Sequence, residues 1–221
     1  MKKSQIFYND SQRETIEKDL KSFLNKQKDF LSGHTINSPR AVGDAIESVI
    51  AENLKAILGD IVGEYSSSFA RRAMADLAFT DKDGFYYIVD VKTHRLDTKF
   101  NMPNLTSVER LSRLYEEDTN YFSILKIDYN IDGTRAKIDK VTFAPIEFFD
   151  WDCLTVGALG WGQIQIANAN VVKIMLKNSR KKWMLDLCDT MLEFYPKEIG
   201  KIGDRIDRFK KIRRFWEKKE E

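Results

Sequence analysis

Apolar and polar residues follow two periods along this chain, and the switches between them mark out its elements. Ile16, Leu20, Phe23, Leu24, Phe30 and Leu31 recur at roughly helical intervals, which predicts a long first helix over residues 11–31. Ser11 and Glu14 stand at capping-box spacing at its start. After a loop over 33–40, a second helix is expected from Ala41 to Leu58, with Val42, Ile46, Val49, Ile50, Leu54, Ile57 and Leu58 on its apolar side. The period then shortens to two. Strands are expected over 74–79 and 85–92, around a turn Thr80–Gly84 whose Asp83-Gly84 pair is a strong hairpin signal. A polar loop over 93–104 leads to a helix opened by Thr106 and Glu109, a second capping box. Strands over 121–129 and 136–143, joined by Asn130-Ile131-Asp132-Gly133, precede a strand over 162–167 and helix from about Ser179. Helices on either side of mostly antiparallel strands predict an α/β (α+β) layered domain. Four prolines and no internal repeat favour a single domain, 1–221.

Composition narrows the function classes. At 43% hydrophobic the chain can bury a core, and 36 Lys plus Arg against 34 Asp plus Glu leaves a net charge of only +2. A uniformly basic coat for nucleic acid is excluded; a local basic patch is not. No apolar run approaches the ~20 residues of a membrane helix, and the N-terminus turns polar too early for a secretory signal. Cys153 and Cys188 cannot form a disulfide framework, so a cytoplasmic protein is expected. With His34 and His94 the only histidines, zinc clusters are excluded and any metal would sit on carboxylates. Residues 201–221 carry nine Lys or Arg against five Asp or Glu. That basic amphipathic segment reads equally as a solvated face or as a contact to DNA phosphates.

Three residues carry the candidate chemistry: Asp76, Asp90 and Lys92. Asp90 and Lys92 lie two apart in the apolar run around Ile88, Val89 and Val91, so both project from one face of an interior strand. A carboxylate and an ammonium there cost on the order of several kcal/mol unless paired or bound to something. Asp76 lies on the other arm of the same hairpin. Two carboxylates and a backbone carbonyl suit a hard cation such as Mg²⁺, beside which a lysine can position a water for attack on a phosphate. The bare D/E-x-K tripeptide occurs four times, at Asp19–Lys21, Asp90–Lys92, Asp97–Lys99 and Glu217–Lys219, but only the second lies on an apolar strand. The plain alternative is a structural ion pair at a strand end.

The arrangement Asp76-x13-Asp90-Val91-Lys92, with a helical glutamate upstream, resembles the PD-(D/E)xK nuclease superfamily. Within it, the chain is similar to blunt-cutting type II restriction endonucleases of the EcoRV and HincII kind. Asp90-Val91-Lys92-Thr93 is followed at matching separation by Pro103-Asn104, and Gln163-Ile164-Gln165 falls in a late strand just after Trp161. Gly43-Asp44-Ala45-Ile46-Glu47 resembles the start of the helix that supplies an auxiliary glutamate, and Leu31-Ser32-Gly33-His34 also matches. The resemblance spans roughly residues 31–167. It implies a restriction-endonuclease-like core, a central mixed sheet flanked by helices. Asp76 and Asp90 would be Mg²⁺ ligands, assisted by the Val91 carbonyl. Lys92 would activate water, and Glu47 would be the auxiliary carboxylate, with Glu52 its rival. The chain departs at Ala75, where the family often has proline, and at Asn101, where relatives carry a wedging glutamine. The implied partners are double-stranded DNA and a second copy in a homodimer, with the 11–31 helix as a candidate interface element and no membrane. The implied reaction hydrolyses both strands of a short palindrome, leaving blunt ends with 5′-phosphates. Thr93, His94, Arg95, Asn101, Asn104, Gln163 and Gln165 are the candidate DNA contacts. Their amides favour adenine, hence an A·T-rich site. A structure-selective repair or junction nuclease, and a non-catalytic DNA-binding protein, are the alternatives.

Overall fold

The computed structural model describes residues 3–27, 31–32, 35–66 and 76–220. The chain divides into two compact units, residues 1–178 and 179–221. In the first, a five-stranded sheet has the order β1 (Val62–Ser66), β2 (Leu77–Asp81), β3 (Tyr86–Arg95), β5 (Asn120–Asp132), β6 (Arg135–Pro145). The β3–β5 pair is parallel and the rest antiparallel, so the central sheet is mixed. A second sheet has the order β4 (Asn104–Ser107), β8 (Gln163–Ile166), β7 (Leu154–Gly157). Among the described residues, the α-helices of this unit are α1 (Gln5–Tyr8), α2 (Asp10–Lys26), α3 (Pro39–Leu58) and α4 (Val108–Leu114).

The β2–β3 hairpin closes as its turn chemistry dictates. Gly84 takes φ +84°, a conformation L side chains resist. Asp81 Oδ1 accepts the N–H groups of Asp83 and Phe85, each at 2.9 Å, and Oδ2 accepts the Tyr87 hydroxyl at 2.6 Å. Alternation then sorts the side chains. On one face Tyr87 stacks between Phe79 and Tyr121, with ring centroids 4.6 and 5.5 Å away, while Phe7 meets it edge-on. Asp90, Lys92 and His94 belong to the other face.

Several boundaries differ from the sequence pattern. The first helix is capped by Asn9, whose Oδ1 accepts the Gln12 N–H, not by Ser11, and it ends at Lys26. Phe30, part of the expected 11–31 span, lies outside the described residues, as do His34 and Ala75. The helix's Ile16, Leu20 and Leu24 are buried in the first unit. They face the core beside β6, where Glu17 accepts the Phe143 N–H at 2.8 Å, so the stripe that suggested an interface is covered by its own unit. The later cap is Ser107, which accepts the Arg110 N–H, because Thr106 is already a ladder residue of β4 opposite Ile164. β3 runs on to Arg95, and β1, β4 and β7 were not expected at all.

The second unit contains α5 (Arg180–Trp216), a 37-residue helix capped by Ser179 and containing Pro196. Among the described residues no helix is long and apolar enough to cross a membrane.

Candidate active site

The site begins with a close helix–strand approach. A Cβ on Gly43 would stand 2.6 Å from Thr93 Oγ1, so only glycine lets α3 come this near β3. Glu47, one turn further along α3, is thereby brought close enough to Asp76 for the two carboxyls to interact. Asp76, just before β2, donates its N–H to the Val89 carbonyl at 3.2 Å, and its Oδ2 accepts the Val91 N–H at 2.7 Å. Val91's N–H and carbonyl point to the same strand edge, so that carbonyl faces the Asp76 side. Asp90 is 4% exposed, and its Oδ1 accepts from Lys92 Nζ at 2.7 Å. Its Oδ2 is buried with no hydrogen-bond partner. Asp76, Asp90, Lys92, Val91 and Glu47 therefore converge at one end of the β2–β3 hairpin. Glu52 is exposed on α3.

Electrostatics at this end are frustrated. Burial pushes the Asp90 carboxyl up to about 7; Lys92 pulls it down while Asp76 and Glu47 add to the rise. Glu47 is likewise raised to about 7, first by burial, then by the charge of Asp76 and their hydrogen bond, then by Asp44. Lys92 is paired with Asp90, and the nearby Asp76 and Glu47 add negative charge to their surroundings. Among the described residues no three His, Cys, Asp or Glu side chains lie close enough together to form a preformed metal cage. The chemistry of the donor set nevertheless suits a hard cation, since all the groups are oxygens and one buried carboxylate oxygen is left unpaired.

The remaining candidates are spread more widely. Thr93 lies against Gly43 on the opposite face from Lys92. His94 is 2% exposed and shares a 3.0 Å hydrogen bond between Nε2 and Asn170 Oδ1, which places it inside the fold. Arg95 pairs with Asp97 at 2.6 Å and, with Arg40, Phe100 and Asn101, lines an open pocket of about 320 Å³. Asn104 and Gln165 face each other across β4 and β8 and are hydrogen-bonded at 2.5 Å. Gln163 lies two residues away on the same face of the second sheet. Three of the four candidate amides therefore gather on that sheet, while Asn101 lies beside Arg95.

One group escaped the sequence reading. Lys126 and Asp128 on β5 form a buried ion pair and stand in register with Lys92 and His94. The signal was present, as Lys126-Ile127-Asp128 interrupts an apolar strand in the way Asp90-Val91-Lys92 does. What the sequence lacked was the parallel pairing that sets the two side by side.

No protein-family model matches this chain, and no curated protein matches it in sequence.

Proposed function

We propose that this protein is a Mg²⁺-dependent type II restriction endonuclease with a PD-(D/E)xK core, acting as a homodimer on a short palindromic double-stranded DNA site. The observation that carries the reading is the meeting of Asp76, Asp90 and Lys92 across one hairpin, with Asp76 tied to the Val91 amide and Glu47 delivered by α3. A structural ion pair would need only Asp90 and Lys92; it gives no reason for two further carboxylates to be brought to the same place. Held by Asp76, Asp90 and the Val91 carbonyl, Mg²⁺ would supply charge neutralisation at the scissile phosphate.

The chain's own groups do the rest. The Lys92 ammonium, fixed by Asp90, orients the attacking water. The oxygen of that water forms a bond to phosphorus as the P–O3′ bond breaks; its proton passes to solvent and O3′ takes one from solvent, leaving a 5′-phosphate and a 3′-hydroxyl. Glu47 borders the site, its carboxyl pushed up to about 7 by burial and by the charge of Asp76. The amides of Asn104, Gln163 and Gln165 would read base edges, since Asn and Gln pair bidentately with adenine. This favours an A·T-rich recognition sequence; blunt ends are what the resemblance to the blunt-cutting enzymes implies.

The test is incubation of the full chain with phage DNA and Mg²⁺. Discrete fragments are expected, and sequencing their ends gives the site. Cutting confined to branched substrates would point to a structure-selective nuclease. No cutting with Mg²⁺ or Mn²⁺ would overturn the assignment.

A further inference from the structure

The long C-terminal helix carries a pattern that the nuclease reading does not use. From Leu185 to Trp216 apolar residues repeat every seven positions. Leu185, Leu192, Ile199 and Ile206 fill the first core position of each heptad. Cys188, Tyr195, Ile202, Phe209 and Trp216 fill the fourth. Arg213 alone breaks the series. This alternation of three and four residues, sustained over more than four heptads, defines a coiled-coil seam. It lies on one stripe of α5, and it is open to solvent: Leu192 is 73% exposed, Ile199 69%, Phe209 69% and Trp216 65%. A continuous apolar stripe about 48 Å long is far more than a lone surface helix keeps in water.

We infer that this stripe is the interface for the same helix of a second copy of the chain, wound antiparallel, with Ile199 facing the partner's Ile202 and Leu185 the partner's Trp216. Charge selects this occupant and this register. In an antiparallel pair the residues flanking the seam meet their own kind of position on the other helix. Here that sets Glu198 against the partner's Arg205, Asp189 against the partner's Lys210, and Lys182 against the partner's Glu217. All three are attractive. Pro196, whose ring needs room, falls beside the partner's Gly203.

The competing registers fail. Sliding by one heptad in one direction opposes Arg205 to the partner's Arg205 and Asp189 to the partner's Glu217. Sliding in the other opposes Glu198 to the partner's Glu198 and Lys182 to the partner's Lys210. A parallel pair sets Arg205 against the partner's Lys210, and no flanking pair compensates. The antiparallel register that uses every core layer sets three opposite charges against each other and opposes no like charges, which is how coiled coils specify their partner. The inference stands on α5 alone and is independent of the nuclease assignment.

The full chain is tested by sedimentation equilibrium. A reversible dimer is expected, and Ile199→Glu with Ile202→Glu should raise its dissociation constant at least about 100-fold. Circular dichroism of that variant at high concentration checks that the first unit still folds. Arg205→Glu should weaken the dimer about 10-fold, because it opposes the introduced carboxylate to Glu198 at two symmetric places, and adding Glu198→Arg should restore it. A parallel coil predicts the reverse for Arg205→Glu, which would gain a pairing with Lys210. Cys188 reports the direction as well. It is exposed, and in the antiparallel register the two copies stand about 37 Å apart, out of disulfide reach. In a parallel coil they would share a layer. A monomer up to ~100 μM, a dimer indifferent to the core and charge variants, or a Cys188-linked dimer on mild oxidation would each overturn the proposal. Capture of the monomer by anionic vesicles instead would assign the stripe to a membrane surface and overturn it equally.

Discussion

At the scale of single residues, Asp90 holds a carboxylate where charge is costly. One oxygen is paired with Lys92 and the other is buried without a partner. Under the nuclease reading, Asp90→Asn or Lys92→Ala should reduce cleavage by about three orders of magnitude or more, the scale of losing a group that stabilises a transition state. Asp19 and Asp97, which share the tripeptide, should be dispensable. Phosphodiester turnover by the four variants decides this, and near-wild-type rates for Asp90→Asn would reject the site. The same carboxylate makes a prediction that needs no turnover. Its pKa is raised in the fold from 3.8 to about 7, so the folded state holds the proton more tightly than the unfolded chain does. The stability linked to that proton is full below the unfolded value and is lost as pH rises to about 7. In chelator, wild-type melting temperature should therefore fall between pH 4 and 7, and Asp90→Asn should flatten that slope. Added Mg²⁺ should recover the loss in the wild type and not in the variant. Wild-type stability that stays flat over this range would show that Asp90 is not in the buried, frustrated state described.

At the scale of elements, the position of α3 depends on Gly43. A Cβ there meets the Thr93 hydroxyl at 2.6 Å, and the β-branched Thr93 has little freedom to yield. Gly43→Ala should cost about 1–3 kcal/mol as overpacking and should move Glu47 away from Asp76. Thr93→Ala added to it should recover most of the lost melting temperature, a compensation that a generic loss of glycine flexibility would not show. The elements differ in how far the sequence discloses them. Asp83-Gly84 and the alternation from Phe85 onward announce the hairpin, and with it the Asp76–Asp90 pair, because both signals are local. The cap of α4 falls one residue beyond its expected place because Thr106 and Ser107 are both competent caps, and only the ladder with β8 commits Thr106 elsewhere. β4 and β7, four residues each, are too short for a period to register. The buried Lys126–Asp128 pair was hidden for a different reason. Its relation to Lys92 arises from a parallel pairing between strands distant in sequence, which no window of the chain contains. In α5 the charge count from residue 201 drew attention to the basic face, while the heptads begin sixteen residues earlier.

At the scale of the whole molecule, the net charge of +2 bears on how DNA would be held. Affinity would have to come from a local basic surface rather than from the protein's overall field, so binding should weaken by orders of magnitude between 50 and 200 mM salt only if several phosphates are contacted. Assembly and chemistry also meet here. Cutting both strands of a palindrome in one event requires two sites related by a twofold axis, and an antiparallel helix pair has one. If the coil holds the functional dimer together, Ile199→Glu with Ile202→Glu should convert double-strand breaks into nicks while leaving the chemistry of each site intact. Supercoiled plasmid resolves the outcomes: linear product from the wild type, open circles from the variant. Linear product from both would place the functional dimer contact outside α5.

The hydrogen bonds of Asp81 also bear on the order in which the chain folds. Asp76 and Asp90 are brought together by a short hairpin, whereas β3 must wait for β5, whose partner residues lie 34 positions further on, as Tyr86 and Asn120 do. Closing the smaller loop costs less entropy, so the two carboxylates should meet early, before the parallel strand and its Lys126–Asp128 pair arrive. Asp81→Asn weakens the turn that starts this sequence. It should slow refolding severalfold and leave the unfolding arm of the chevron nearly unchanged. Lys126→Met, which perturbs a contact formed later, should instead act mainly on the unfolding rate. On this view the candidate catalytic carboxylates are among the first long-lived neighbours the nascent chain acquires.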